Sequence, residues 1–148
     1  MNISGFLALA DVLVDFRASD KKQLLRDLSQ RAAHAQNLDG DQVSQAILKR
    51  EELGSTGVGG GVAIPHARIA SLTDAFGVMV RLRKAINFDA VDGQPVDLVF
   101  LLLLPQRAEG SHLNALAAIA RRLRESRRVQ ALRQASDVES FYHTLTRQ

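Results

Sequence analysis

The sequence contains no cysteine. That excludes a disulfide framework, a thiolate zinc site and thiol catalysis. Aromatic residues fill only 5% of the 148 positions, so the core must be built from Leu, Val, Ala and Ile. The longest apolar run is the seven residues from Leu98 to Leu104, far short of the roughly 20 that a membrane-spanning helix needs. The opening segment, MNISGFLALADVLVDF, has no basic leader before its short apolar part and carries Asp11 and Asp15. Both features argue against a signal peptide. The expectation is a soluble, cytoplasmic protein without membrane insertion.

What remains is ordinary globular composition, with 46% hydrophobic and 24% charged residues, at a length that suits one domain. The isoelectric point of about 9.8 overstates the basic character, because the net charge at pH 7 is only +3. The surplus lies late in the chain, at Arg121, Arg122, Arg124, Arg127, Arg128 and Arg133. Such a run attracts acidic partners or nucleic acid, or is simply a solvated helix face. No aromatic residues interleave it as a base-stacking platform requires, so the solvated face is favoured and no nucleic-acid partner is expected.

The most distinctive stretch is Gly54 to Arg68, GSTGVGGGVAIPHAR, with five glycines between Gly54 and Gly61. A phosphate-binding loop of the Walker type needs Gly-Lys-Ser/Thr at its end, and no lysine is present here. A dinucleotide fingerprint starting at Gly57 needs glycine at position 62, which is Val62. Two readings of the glycines stay open: a surface turn, or exposed amides that cradle an anion. His66 follows directly after Pro65 and is a candidate nucleophile.

The chain in order reads as follows. Val12 to Phe16 is a strand candidate, rich in β-formers. Ser19 caps a helix that runs to about Gln36, with Leu24, Leu25, Leu28 and Ala32 as its stripe. Asp41 caps a second helix ending at Leu53, whose stripe is Val43, Ala46, Ile47 and Leu53, with Gly54 after its end. Arg50 lies on that stripe. It either snorkels to solvent or points at a bound anion. Pro65 stops the short run Val62-Ala63-Ile64. Phe76 to Arg83 alternates and predicts a half-buried strand. Leu98 to Leu104 is apolar on both faces and predicts a central strand covered from both sides. Ser111 caps a long helix with the stripe Leu113, Leu116, Ala117, Ala120 and Leu123. Val129 to Gln134 and Asp137 to Thr146 are shorter helices. His34 and His143 read as surface residues. The expected fold class is α/β, a single domain with a mixed, mainly five-stranded sheet and helices on both faces.

His112 lies in the first turn of the third helix, where free N–H groups attract anions. His66 and His112, each just past a strand, could share one site. Phosphoryl transfer needs a neutral imidazole nitrogen as nucleophile and donors around the phosphoryl oxygens. His66, His112, Arg50 and the amides of Ser55, Thr56, Gly57, Gly59 and Gly60 would supply these. A two-histidine metal site lacks a third ligand and has Arg50 nearby to repel a cation. No metal and no cofactor is expected.

Arg50-Glu51-x-x-Gly54-Ser55-Thr56-Gly57, followed by Val62-Ala63-Ile64-Pro65-His66, resembles the active-site signature of the fructose/mannitol-type enzyme IIA domains of the bacterial phosphotransferase system. Phe88 to Leu103, FDAVDGQPVDLVFLLL, and the opening Leu13 to Leu28 are similar to the nitrogen-regulatory branch of that family. The likeness spans essentially the whole chain, a type-2 IIA domain over residues 4 to 147. It implies that His66 is phosphorylated by a phosphohistidine on a small histidine phosphocarrier protein. Arg50 and His112 would match the family's supporting arginine and second histidine. It also implies a regulator whose state is read by partners such as potassium-transport or sensor-kinase systems, in a monomer or weak homodimer. A sugar-specific IIA that passes phosphate to a separate IIB cysteine, a binding module with a vestigial site and a nucleic-acid binder are the rival functions. Ala67 departs from the glycine common there, and Val58 to Gly61 is more glycine-rich than usual.

Overall fold

The computed structural model describes residues 2–107 and 110–148. Its central element is the strand Val96–Pro105, buried at every position except the half-buried Asp97. Val99, Leu101 and Leu103 enter one core, while Leu98, Phe100, Leu102 and Leu104 enter the other. Burial of each such side chain stabilises by roughly 1.5–3 kcal/mol.

Six strands form one mixed sheet. In chain order they are β1 (Val12–Phe16), β2 (Gly57–Gly59), β3 (Val62–Ala63), β4 (His66–Ile69), β5 (Phe76–Ile86) and β6 (Val96–Pro105). β5 runs antiparallel to β6, and β1 runs parallel to β5. On its other side β6 pairs in parallel with both β3 and β4, and β2 is antiparallel to β3. The α/β class and the mixed sheet agree with expectation, but the mainly five-stranded sheet is corrected to six strands. The chain does not leave the sheet at Pro65. Ala63 faces Val99 and His66 faces Leu102, so the register against β6 is unchanged across Ile64 and Pro65, and β4 resumes the pairing.

Five α-helices cover the sheet among the described residues: α1 (Lys21–Gln36), α2 (Gly40–Leu53), α3 (Ser111–Arg122), α4 (Ser126–Gln134) and α5 (Val138–Thr146). Leu24, Leu25 and Leu28 of α1 pack with Val43 and Ile47 of α2 on one face. Ala115 and Ile119 of α3, Leu132 of α4 and Phe141 of α5 cover the other, joined by Ile3 and Phe6 from the start of the chain. No helix there is long and apolar enough to cross a membrane.

Several helix starts differ from the sequence reading by a residue or two. Asp20, not Ser19, caps α1, its carboxylate accepting the Gln23 amide at 2.8 Å. Asp39, not Asp41, caps α2. At α1 the carboxylate outcompetes the Ser19 hydroxyl because it also meets the positive end of the helix dipole. At α3 the cap is Gly110 and Ser111 is already helical. The apolar faces also shift. Leu53 is 84% exposed and Leu113 is 46% exposed, so neither belongs to the core.

Half of the late arginines do structural work. Arg122 Nη1 donates to the carbonyls of Leu145 (2.9 Å) and Thr146 (2.8 Å). Arg128 Nη1 donates to those of Thr144 (2.7 Å) and Arg147 (2.9 Å). These are the orphan carbonyls at the end of α5, which need partners and favour a cation. Arg133 pairs with Asp97 at 2.8 Å. Arg122→Ala should therefore lower the unfolding free energy in urea by roughly 2–3 kcal/mol, whereas Arg121→Ala, at an exposed position, should change it by less than about 0.5 kcal/mol.

Candidate active site

The site is built around the break between β3 and β4. Pro65 has no N–H to give. The Ile64 N–H faces the β2 side and donates to the Thr56 carbonyl at 3.0 Å, one pair beyond Gly57 and Ala63. The ladder resumes where Leu102 N–H donates to the Pro65 carbonyl at 2.9 Å. The Ile64 carbonyl lies 2.8 Å from His66 Nδ1. A carbonyl only accepts, so Nδ1 must carry the hydrogen, and in the neutral ring the lone pair is on Nε2. The His66 ring is half-buried.

His66 opens into a cleft at the sheet edge, between α2 and α3. Lys49, Arg50 and Leu53 of α2 line one side, His66 and Arg68 of β4 the floor, and Leu113 and Leu116 of α3 the other side. Three cations and no carboxylate border it among the described residues. Such a field draws in anions. Arg50 is half-buried, and its Nη1 donates to the Gly54 carbonyl at 3.0 Å. That bond pins the guanidinium at the end of α2 and settles its orientation beside the cleft.

His112 lies in the first turn of α3, next in the chain to Leu113 of the cleft wall. Its Nδ1 is buried and has no hydrogen-bond partner among the described residues. An unpaired buried polar atom costs about 1–3 kcal/mol, and His112 itself is not among the residues that line the cleft. His34 and His143 are exposed, in keeping with their reading as surface residues.

The loop residues expected to cradle an anion are disposed otherwise. Ser55 Oγ donates to the Phe88 carbonyl and accepts the Gly57 amide, both at 3.0 Å. The Thr56 amide (3.1 Å) and hydroxyl both donate to the Glu51 carboxylate. The Gly57 carbonyl accepts from Val91 N at 3.1 Å, and a Cβ at Gly57 would come within 2.8 Å of Ala90. Gly59, Gly60 and Gly61, with φ of 102°, 68° and 79°, form the turn of the β2–β3 hairpin, a conformation that favours glycine. The Gly60 amide is held by Asp92 (3.0 Å), and its carbonyl by Arg133 (2.7 Å). Gly59 and Gly60 border a different groove, with Arg124 and Arg133. None of these residues lines the His66 cleft.

Sequence reasoning passed over Lys49 and Arg68. Arg68 follows His66 by two residues, which puts both on one face of a strand. That signal appears only once β4 is known to be a strand. No cluster of three or more His, Cys, Asp or Glu capable of holding a metal occurs among the described residues.

Comparison with known proteins shows the family and the fold. The model of the family described as "Phosphoenolpyruvate-dependent sugar phosphotransferase system, EIIA 2" matches residues 6–148. The chain belongs to that family. It is 43% identical over 145 residues to the nitrogen regulatory protein of Bradyrhizobium diazoefficiens, covering 98% of this chain and 95% of the relative. The crystal structure of nitrogen regulatory protein IIA-Ntr from Neisseria meningitidis superposes with a TM-score of 0.92 at 36% identity, over 97% of this chain and 99% of that one. A complex of enzyme IIA and phosphorylated enzyme IIB for mannitol from Escherichia coli shares the fold, with a TM-score of 0.79 at 16% identity, over 95% and 98% of the two chains.

In this EIIA 2 chain the hairpin tip carries its own acid sensitivity. The amides of Gly60, then Gln94, hold the Asp92 carboxyl below its ordinary range. A carboxylate whose folded pKa is depressed stabilises above its unfolded value of about 3.9, and that contribution is lost as the pH falls through the folded pKa. The Gly60 amide resonance should therefore titrate with a midpoint below 3.9 in an NMR pH series, and Asp92→Asn should abolish that step.

Proposed function

We propose that this chain is a regulatory phosphoryl relay in which His66 Nε2 takes a phosphoryl group from a phosphohistidine on a small histidine phosphocarrier protein. The observation that carries the reading is the 2.8 Å contact of His66 Nδ1 with the Ile64 carbonyl, which leaves Nε2 with its lone pair. In the transfer, the Nε2–phosphorus bond forms as the nitrogen–phosphorus bond of the donor breaks, and the donor ring leaves as a neutral imidazole. The Nδ1–H stays on the Ile64 carbonyl, where the bond to it strengthens as the His66 ring becomes positive.

Arg50 offers charge to the phosphoryl oxygens, and Lys49 and Arg68 raise the local positive potential. His112, one residue before Leu113 of the cleft wall, is the candidate for a second contact to the phosphoryl group. Ser55, Thr56, Gly57, Gly59 and Gly60 then act by shaping the break before His66, not by touching the phosphoryl group. The added group carries roughly −1.5 to −2 charges into a cationic cleft flanked by the exposed Leu53 and Leu113. A cytoplasmic partner that docks there, such as a potassium-transport or sensor-kinase system, meets a different surface in each state.

A second reading is a sugar-specific IIA subunit, since the mannitol IIA of the same fold is solved with phosphorylated IIB. Passage of phosphate from His66 to the cysteine of a sugar-transport IIB would favour it.

Incubation with the general phosphotransferase enzyme, its phosphocarrier and phosphoenolpyruvate should add one acid-labile phosphoryl group to the wild type in an intact-mass measurement, and none to His66→Ala. Undiminished labelling of His66→Ala would refute the assignment. Arg50→Ala should slow transfer by roughly a hundredfold while the unfolding midpoint stays near the wild-type value. Wild-type kinetics in that variant would remove Arg50 from the site.

A further inference from the structure

An unbroken path of polar contacts runs from the start of α1 to the His66 ring. Lys21 Nζ lies 2.9 Å from Glu51 Oε1 and also sits over the Phe88 ring at 4.5 Å. The Glu51 carboxylate, 5% exposed at its side chain, accepts both the amide and the hydroxyl of Thr56. The Thr56 carbonyl accepts Ile64 N–H at 3.0 Å. The Ile64 carbonyl accepts His66 Nδ1–H at 2.8 Å.

The Ile64 peptide is the weak point of this path. Ile64 sits between β3 and β4, and its N–H donates to the Thr56 carbonyl, one pair beyond the Gly57–Ala63 pair of the β2–β3 ladder. Pro65 after it brings no donor of its own. In an antiparallel pair the Thr56 N–H would return a bond to the Ile64 carbonyl, but it goes to Glu51 Oε1 at 3.1 Å, which leaves that carbonyl for Nδ1. Glu51 holds Thr56 by two bonds at once.

We propose that Glu51 is a positioning residue for His66, acting through Thr56 and the Ile64 peptide to keep the hydrogen on Nδ1 and Nε2 open. Charge-assisted hydrogen bonds are the stronger kind, so the Glu51 carboxylate outcompetes the Ile64 carbonyl for the Thr56 N–H. The half-buried Lys21 keeps the carboxylate compensated, which a buried charge requires. The carboxylate touches neither the His66 ring nor the cleft, so it sets the geometry of the nucleophile without entering the reaction. For its effect on rate, the inference rests on the phosphoryl-acceptor reading. For the tautomer it stands apart from that reading.

The test uses the full, unphosphorylated chain labelled with nitrogen-15 histidine, as wild type, Glu51→Gln, Thr56→Val and Thr56→Ser. Long-range proton–nitrogen spectra report which ring nitrogen of His66 carries the hydrogen. The backbone spectrum reports folding. The wild type should show one neutral tautomer with the hydrogen on Nδ1. Folded Glu51→Gln and Thr56→Val should show both tautomers, and Thr56→Ser should restore the single one. Transfer from the phosphocarrier should slow by roughly ten- to a hundredfold in kcat, with KM for the carrier within about twofold of wild type. A folded Thr56→Val chain that keeps the wild-type tautomer overturns the proposal, even if Glu51→Gln fails to fold. A loss of rate without a change of tautomer overturns it too. If the tautomers respond as stated but the wild type takes no phosphate, the positioning role stands and the relay reading fails.

Discussion

The structure depends on a strand that has no wet face. β6 is buried from Leu98 to Pro105, and each alternate set of its side chains seeds a separate core. A strand of this kind is stable only between two layers of helices and between two paired neighbours. β5 takes one edge. The other edge is too long for the two residues of β3, so β4 continues the pairing after the break. His66 is therefore fixed opposite Leu102 by the most buried element of the molecule, while its side chain opens at the sheet edge.

The break between β3 and β4 joins architecture to chemistry. In a regular antiparallel pair Ile64 and Thr56 would exchange two hydrogen bonds. Here the Ile64 N–H does pair with the Thr56 carbonyl, but the Thr56 N–H goes to the Glu51 carboxylate and not to Ile64. The Ile64 carbonyl is thus available to a side chain, and it takes the Nδ1 hydrogen of His66. The carbonyl left over beside Thr56 is the acceptor that holds the hydrogen on one ring nitrogen. The signature Arg50-Glu51-x-x-Gly54-Ser55-Thr56-Gly57 reads accordingly in structural terms. Arg50 borders the cleft, Glu51 holds Thr56, and Gly57 lets Ala90 pack where a Cβ would collide.

Much of this was legible in the residues. The unbroken apolar character of Leu98 to Leu104 implied burial on both faces, and the alternation from Phe76 to Leu82 named the face of β5 that packs on α1 and α2. His66 and Arg50 were recognisable as neighbours in one site. The glycines misled, because flexible backbone near a histidine reads equally well as an anion cradle or as a hairpin. Gly59 to Gly61 make the hairpin, with Asp92 and Arg133 holding it. Their partners lie more than thirty residues away in sequence, beyond the reach of any local pattern. The late arginines were ambiguous for the same reason. Arg122 and Arg128 bond carbonyls at the far end of the chain.

Composition and periodicity by themselves determined the class of fold, the central strand and the helices. Each of these follows from local spacing and from the free energy of removing apolar surface from water. Tertiary structure alone decided that β4 resumes after Pro65, that Leu53 and Leu113 stay exposed, and which nitrogen of His66 is free. Those outcomes turn on where particular carbonyls and carboxylates lie once distant segments are packed, and hydrogen-bond direction is set only when both partners are in place.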